Sequence, residues 1–396
     1  MDANIRVQYA ALDALGVLME VLAPTVQVKY HESVAPKLIE LLQANTALKL
    51  KTQATLTMLN FCNGLLNNSE DDEEGEDNCD IIDGYWTKIL FVLRANLNQA
   101  ITEKYEPLQF QSLSLISTMA DVIGTKFELC FNDFVTPLKS AIGIPAPTEH
   151  TVSDPELQAM MIRTLGAIFH SVSECKNIDK FKPTVIEITT HLAQLLNAGL
   201  PDSDGRDEAV KETLSLSAGF LKHEFAQFMP VLMAPLIRDA QLDVDFKLVD
   251  ADTPVAADPN KVSFNIKIRG VGTKQASMNT YALMSKGGAF VVLEKISENM
   301  GKAFAPYVEQ NAELLQIVAT HMTYKEKKAI RKSAMKIFRN ILAAVGYPKN
   351  KALFQESIQM FMTEFQTYIK GKDLPTLKIL LKYFAEYLKT LHRSND

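Results

Sequence analysis

The sequence predicts an all-α solenoid of about seven stacked helix pairs and a final helix, interrupted once by a β-hairpin. Three observations predict it. First, the segments "KFELCFNDFVTPLKSAI", "KFKPTVIEITTHLAQLL", "EFAQFMPVLMAPLIRDA" and "AFAPYVEQNAELLQIVA" share one pattern, a phenylalanine (Phe127, Phe181, Phe225, Phe304) ahead of a helical run with an early or central proline. Second, their spacings of 54, 44 and 79 residues fit a helix-pair repeat of roughly 40–47 residues with one insertion of about 35. Third, apolar residues recur at three- and four-residue steps, as in Leu12, Leu15, Met19 and Leu22. A lone helix pair cannot bury such a stripe, so neighbouring pairs must stack.

In order along the chain, the periodicity predicts helix pairs at 5–22 with 27–44, 47–66 with 81–100, 107–123 with 127–143, 154–173 with 180–197, and 206–222 with 225–241. Two more pairs follow at 286–301 with 304–322 and 325–345 with 350–369, and a last helix at 374–392. The start, "MDANIRVQYAAL", enters its helix at once without an evident cap, so a chain cut from something longer is expected. The organisation expected is repeats over 1–242, an insertion over 243–285, and the same array continuing over 286–396.

The insertion has a different pattern. In "KVSFNIKIRG", Val262, Phe264, Ile266 and Ile268 alternate with polar residues, the period of a strand. "VGT" then leads into "KQASMNTYALM" as a returning strand, and the preceding "DADTPVAADPNK" is expected to be a loop. Such a hairpin could brace the groove between repeats, or offer its edge to a partner strand.

With 47% apolar residues the 396-residue chain can bury a continuous core. Its net charge of −6 is local: eight carboxylates lie in "NNSEDDEEGEDNCD", residues 67–80, and the rest carries +2. A near-neutral body excludes a strongly basic nucleic-acid binder, and the acidic run suggests a basic partner. Cys62, Cys79, Cys130 and Cys175 have no CxxC spacing and suggest no disulfide framework. No apolar run approaches the roughly 20 residues a bilayer span needs, so a soluble intracellular protein without membrane insertion is expected.

The acidic run falls between the two helices of the second pair. As a solvated loop it would only repel and solubilise. On the concave face of a solenoid it would raise the local concentration of a Lys/Arg-rich ligand, a salt-sensitive effect on association rate. The candidate cargo-binding residues are therefore Glu70, Asp71, Asp72, Glu73, Glu74, Glu76, Asp77, Asp83 and Trp86. Trp86 has a core role beside Ile89, Leu90 and Leu93, or a groove role stacking on lysine or arginine. The basic run "YKEKKAIRKSAMKIFR" puts Lys325, Lys327, Lys328, Arg331, Lys332, Lys336 and Arg339 on one helix, with Ile330, Ala334, Ile337, Phe338 and Ile341 inward. A hydrated outer face is the expectation there, with phosphate or acidic-partner binding as the alternative. "RGVGTKQ" lacks P-loop spacing, His31 has no second ligand four residues on, and no G-x-S-x-G occurs. No catalysis, metal or cofactor is expected.

The first pair, "RVQYAALDALGVLMEVLAPTVQVKYHESVAPKLIELL", resembles a central HEAT repeat of the importin-β superfamily, in its importin beta-three branch. The resemblance continues through "KFELCFNDFVTPLKSAI", "FAQFMPVLMAPLIRDA" and the insertion "FNIKIRGVGTKQASMNTYALMSK", covering nearly the whole chain in order. It implies a nuclear transport receptor that shuttles between cytoplasm and nucleus. Such a receptor binds cargo on its concave inner-helix face, docks Phe-Gly repeats of pore proteins between outer helices, and releases cargo to Ran-GTP. The family's principal Ran surface lies in its first repeats, expected to be missing here, so autonomous Ran binding is not expected. The acidic run is a departure from the branch. The alternative function is a structural HEAT scaffold, such as a phosphatase regulatory subunit.

Overall fold

In the computed structural model, residues 4–44, 46–66, 78–149, 151–201, 204–250, 261–268, 272–322, 324, 327–345, 351–371 and 374–393 are described. They form two compact units, Met1–His191 and Leu192–Asp396. The fold class is all-α, of HEAT-repeat type, with a small antiparallel sheet.

In the first unit the pairs are α1 (Ile5–Val21) with α2 (Thr25–Gln43), α3 (Leu48–Asn63) with α4 (Trp86–Thr102), α5 (Glu106–Ile123) with α6 (Phe131–Ala141), and α7 (Pro155–Val172) with α8 (Lys182–Ala198), whose residues after His191 belong to the second unit. The first helices stack in series, α1 on α3, α3 on α5 and α5 on α7. Their apolar stripes explain the order. Leu113, Leu115, Ile116, Met119 and Ala120 of α5 are all fully buried, because α5 has a neighbour on each side. Contrary to expectation, α1 is capped, since the Asn4 side chain accepts from the Arg6 N–H at 2.9 Å.

The second unit contains α9 (Gly205–Leu221) with α10 (Met229–Gln241), then the sheet, then α11 (Thr280–Met300) with α12 (Ala305–Gln310) and α13 (Ala312–His321). It ends with α14 (Lys328–Val345), α15 (Lys351–Gly371) and α16 (Leu374–Arg393). Here α9 packs on α11, α11 on α14, and α14 on α16. The helix expected at 304–322 is broken at Asn311, whose φ of −124° leaves the helical region and whose side-chain amide donates to the Tyr307 carbonyl at 2.7 Å.

The repeated phenylalanines are the hinges of this plan. Phe127, Phe225 and Phe304 each sit in a 3₁₀ turn after the first helix of a pair and are fully buried, and Phe181 precedes α8 at 2% exposure. Burying each ring contributes about 1.5–3 kcal/mol. In three pairs the 3₁₀ turn opens on a residue of positive φ: Gly124 (52°), Lys222 (51°) and Gly301 (51°). The helix expected from 127 therefore begins only at Phe131.

The sheet has three strands, β1 (Lys247–Asp250), β2 (Lys261–Ile268) and β3 (Gly272–Asn279), in the order β1-β3-β2 and antiparallel throughout. The β2–β3 pairing is the expected hairpin, with Val262 opposite Met278 and Ile266 opposite Lys274. Two corrections apply. Lys247–Asp250, where no strand is expected and whose Asp250 is expected in the loop, adds a strand on the other side of β3. The returning strand stops at Asn279, whose side chain accepts from the Ala282 N–H at 2.9 Å and starts α11 at Thr280, six residues before the expected boundary.

Candidate functional site

The candidate residues Glu70, Asp71, Asp72, Glu73, Glu74, Glu76 and Asp77 lie outside the described residues. The chain is described again from Asn78, where a 3₁₀ turn, Cys79–Gly84, leads through Tyr85 into α4. Asp80 and Asp83 of that turn are exposed, and Ile82 is buried beneath them. The Asp83 carboxylate pairs with the Lys126 ammonium, both about half exposed. Trp86 opens α4 half-buried, while Ile89, Leu90, Leu93, Leu97 and Ala100 carry the buried stripe.

Lateral contacts brace the second helices of consecutive pairs. His31 of α2 meets the Tyr85 hydroxyl at 3.2 Å. Arg94 of α4 pairs with Asp133 of α6 at 2.7 Å, and Lys139 of α6 pairs with Glu187 of α8 at 2.7 Å. Exposed pairs of this kind contribute about 0–1 kcal/mol each. Their consequence is positional: they tie the polar sides of α2, α4, α6 and α8 to one another. On that face Phe91 is 73% exposed and Leu129 is 74% exposed. Neither residue stood out in the sequence; the available signal is that Phe91 falls off the helical stripe of Ile89, Leu93, Leu97 and Ala100.

Beneath the face, Lys51 of α3 is buried and donates to Asn96 at 3.2 Å and Gln99 at 2.9 Å. Desolvation lowers its pKa, partly opposed by the charge of Glu103. All four cysteines are free, and burial pushes the Cys62 and Cys130 thiols up to about 12. At that value neither is a thiolate nucleophile at neutral pH. Among the described residues no group of three or more His, Cys, Asp and Glu side chains is placed to hold a metal ion, and no helix is long and apolar enough to cross a membrane.

The basic helix departs from expectation. Ile330, Ala334, Ile337, Phe338 and Ile341 are buried as expected, and Lys328 and Lys332 are exposed. Arg331, however, is 9% exposed, with its guanidinium donating to the Tyr368 hydroxyl at 3.2 Å and lying 5.8 Å from that ring's centre. Lys336 pairs with Glu294 of α11 at 2.6 Å, and Arg339 with Glu386 of α16 at 2.7 Å. Three of the five bases within α14 thus brace it to its neighbours. The long stems of lysine and arginine let a residue next to the apolar stripe reach sideways across a helix junction.

Serial stacking of the first helices, buried phenylalanine turns and one inserted sheet define the class: a HEAT-type helical-repeat segment. In sequence the chain is similar to importin subunit beta-3 of Saccharomyces cerevisiae, with 21% identity over 309 residues, which are 78% of this chain and 26% of the relative. In structure it is similar to Kap121p, with a TM-score of 0.71 and 18% identity over 98% of this chain and 34% of that one. Kap121p bound to RanGTP gives a TM-score of 0.63 and 18% identity over 99% of this chain and 34% of that one. Kap121p is also solved bound to Ste12p, to Pho4p and to Nup53p. The chain therefore spans about a third or less of the length of these relatives. No family profile matches it.

Proposed function

We propose that this chain is a segment of a nuclear transport receptor that binds Lys/Arg-rich cargo on the inner-helix face of its repeats, without catalysis. In this reading 243–285 is an insertion into one run of repeats, 1–242 and 286–396. The observation that carries it is the concentration of eight carboxylates immediately ahead of α4, in a chain otherwise at +2. That run, with Asp83 and Trp86, would meet the cargo first. Anionic groups on a cross-braced face accelerate encounter with a basic segment, and desolvated contacts such as exposed Phe91 supply specificity.

The names of the relatives support the same reading. An importin subunit shares the sequence pattern, and Kap121p, which shares the fold, is solved bound to protein partners that include Nup53p and RanGTP. Basic cargo, Phe-Gly nucleoporins and, for the longer relatives, Ran-GTP are the partners proposed, with shuttling between cytoplasm and nucleus. Pull-down on the purified chain tests it. Retention on immobilised Phe-Gly peptides and on a basic nuclear-localisation peptide is the expected result. Failure of both, with retention of a phosphatase catalytic subunit, would replace the receptor by a structural scaffold.

A further inference from the structure

We propose that the groove over the Gly287–Gly288 step of α11 is a second docking site, taking a short peptide that sets an apolar side chain beside a carboxylate. The site lies within the second unit and is independent of the proposed cargo face. Helix α11 is packed between α9 and α14. At the two glycines it presents bare backbone, and a groove of about 360 Å³ opens there. That volume is at the small end of ligand pockets and suits one or two side chains of a peptide.

The walls select the occupant. Met284 and Val291, one turn to either side of the glycines, are 49% and 44% exposed and line the groove. Covering them would remove apolar surface from water. Lys327 leads into α14 from the other side, with its ammonium 3.2 Å from the point a Gly287 Cβ would occupy, over the groove floor. It is half-buried and, among the described residues, its side chain has no hydrogen-bond or ion-pair partner. A partly desolvated ammonium gains most from an ionised partner, and a ligand carboxylate provides one. Exposed Lys328 and Lys332 on α14 extend the same positive field.

The basic run of the sequence is thus divided in labour: Arg331, Lys336 and Arg339 brace neighbouring helices, and Lys327 near its start lines the groove. Glu208 and Glu212 of α9 form the opposite wall and are themselves engaged within the chain. They orient the ligand, because its carboxylate must point toward α14, away from them. The charge preference is therefore opposite to that proposed for the acidic run, so one peptide does not serve both sites.

Fluorescence anisotropy of the full chain with a labelled Gly-Ser-Leu-Leu-Glu-Asp-Ser-Gly peptide tests the site. Saturable binding is expected, weakened about tenfold by replacing Glu-Asp with Lys-Lys or Leu-Leu with Ser-Ser, and weakened similarly by Lys327→Glu. Gly287→Leu fills the groove while raising helix propensity, so binding should be lost with the circular-dichroism melt unchanged or higher. Absence of saturable binding, equal binding of the Lys-Lys or Ser-Ser peptide, or indifference to Gly287→Leu would each overturn the proposal.

Discussion

Lys211 of α9 holds its ammonium 2.7 Å from Asp239 of α10 while only 1% of its side chain is exposed. Asp207 at 2.7 Å and the Ser285 hydroxyl of α11 at 2.6 Å complete its shell, so one cation joins three helices. Its stem passes under Gly288, where a Cβ would lie 2.9 Å from Lys211 Cδ. Lys211→Met leaves buried Asp207 without its cation and Asp239 with only the exposed Arg238 guanidinium at 3.1 Å, and a loss of about 3 kcal/mol is expected in urea denaturation. Adding Asp207→Asn and Asp239→Asn should recover much of it. A loss below about 1 kcal/mol for the single variant would show that the cluster is hydrated or rearranged.

Lys222 occupies the position that Gly124 and Gly301 hold in two other pairs, at the same φ near 51°. A side chain is strained there, whereas glycine is not. Lys222→Gly should therefore stabilise the protein by about 1 kcal/mol, after its entropic cost in the unfolded chain, and raise the melting temperature by a few degrees. Gly301→Ala should lower it, although nothing crowds the added methyl, because the penalty there is in the backbone. A lower melting temperature for Lys222→Gly would contradict this account of the hinge.

Asp204 caps α9 by accepting from the Arg206 N–H at 2.9 Å and from its guanidinium at 2.6 Å. The Arg206 hydrogen bond holds its carboxyl below the usual aspartate range, against an opposing desolvation. A depressed folded pKa gives stability that is present above the unfolded value, about 3.9, and is lost as pH falls through the folded value. Asp204→Ala should cost about 1 kcal/mol at pH 6. The gap between wild type and variant should narrow at pH 3 and below, as read from urea midpoints. A gap independent of pH would mean that the charge contributes nothing.

How much of this was legible varied with the physics. The repeat order, the buried phenylalanines and the β2–β3 hairpin follow from period and composition, so they could be read directly. Strand β1 could not, since Lys247–Asp250 is four residues long and gains its ladder only by pairing with β3, distant in sequence. The α11 boundary turned on one capping side chain, Asn279. At the candidate site, phasing placed Asp83 and Trp86 at the entrance to α4, yet the Lys126 partner of Asp83 comes from another repeat and no spacing rule announces it. The same holds for Arg331, Lys336 and Arg339, whose charge suggested solvent until their partners on neighbouring helices were in view.

The most direct measurement of the central claim is the association rate of the chain with a Lys/Arg-rich cargo peptide, by stopped-flow fluorescence at low and high salt. Replacing the carboxylates of Glu70 to Asp77 by amides should slow association severalfold at low salt, with the difference largely gone near 0.5 M salt, where the screening length is only a few ångströms. Equal rates for the two proteins at low salt would contradict the claim that this acidic run steers a basic partner onto the repeats.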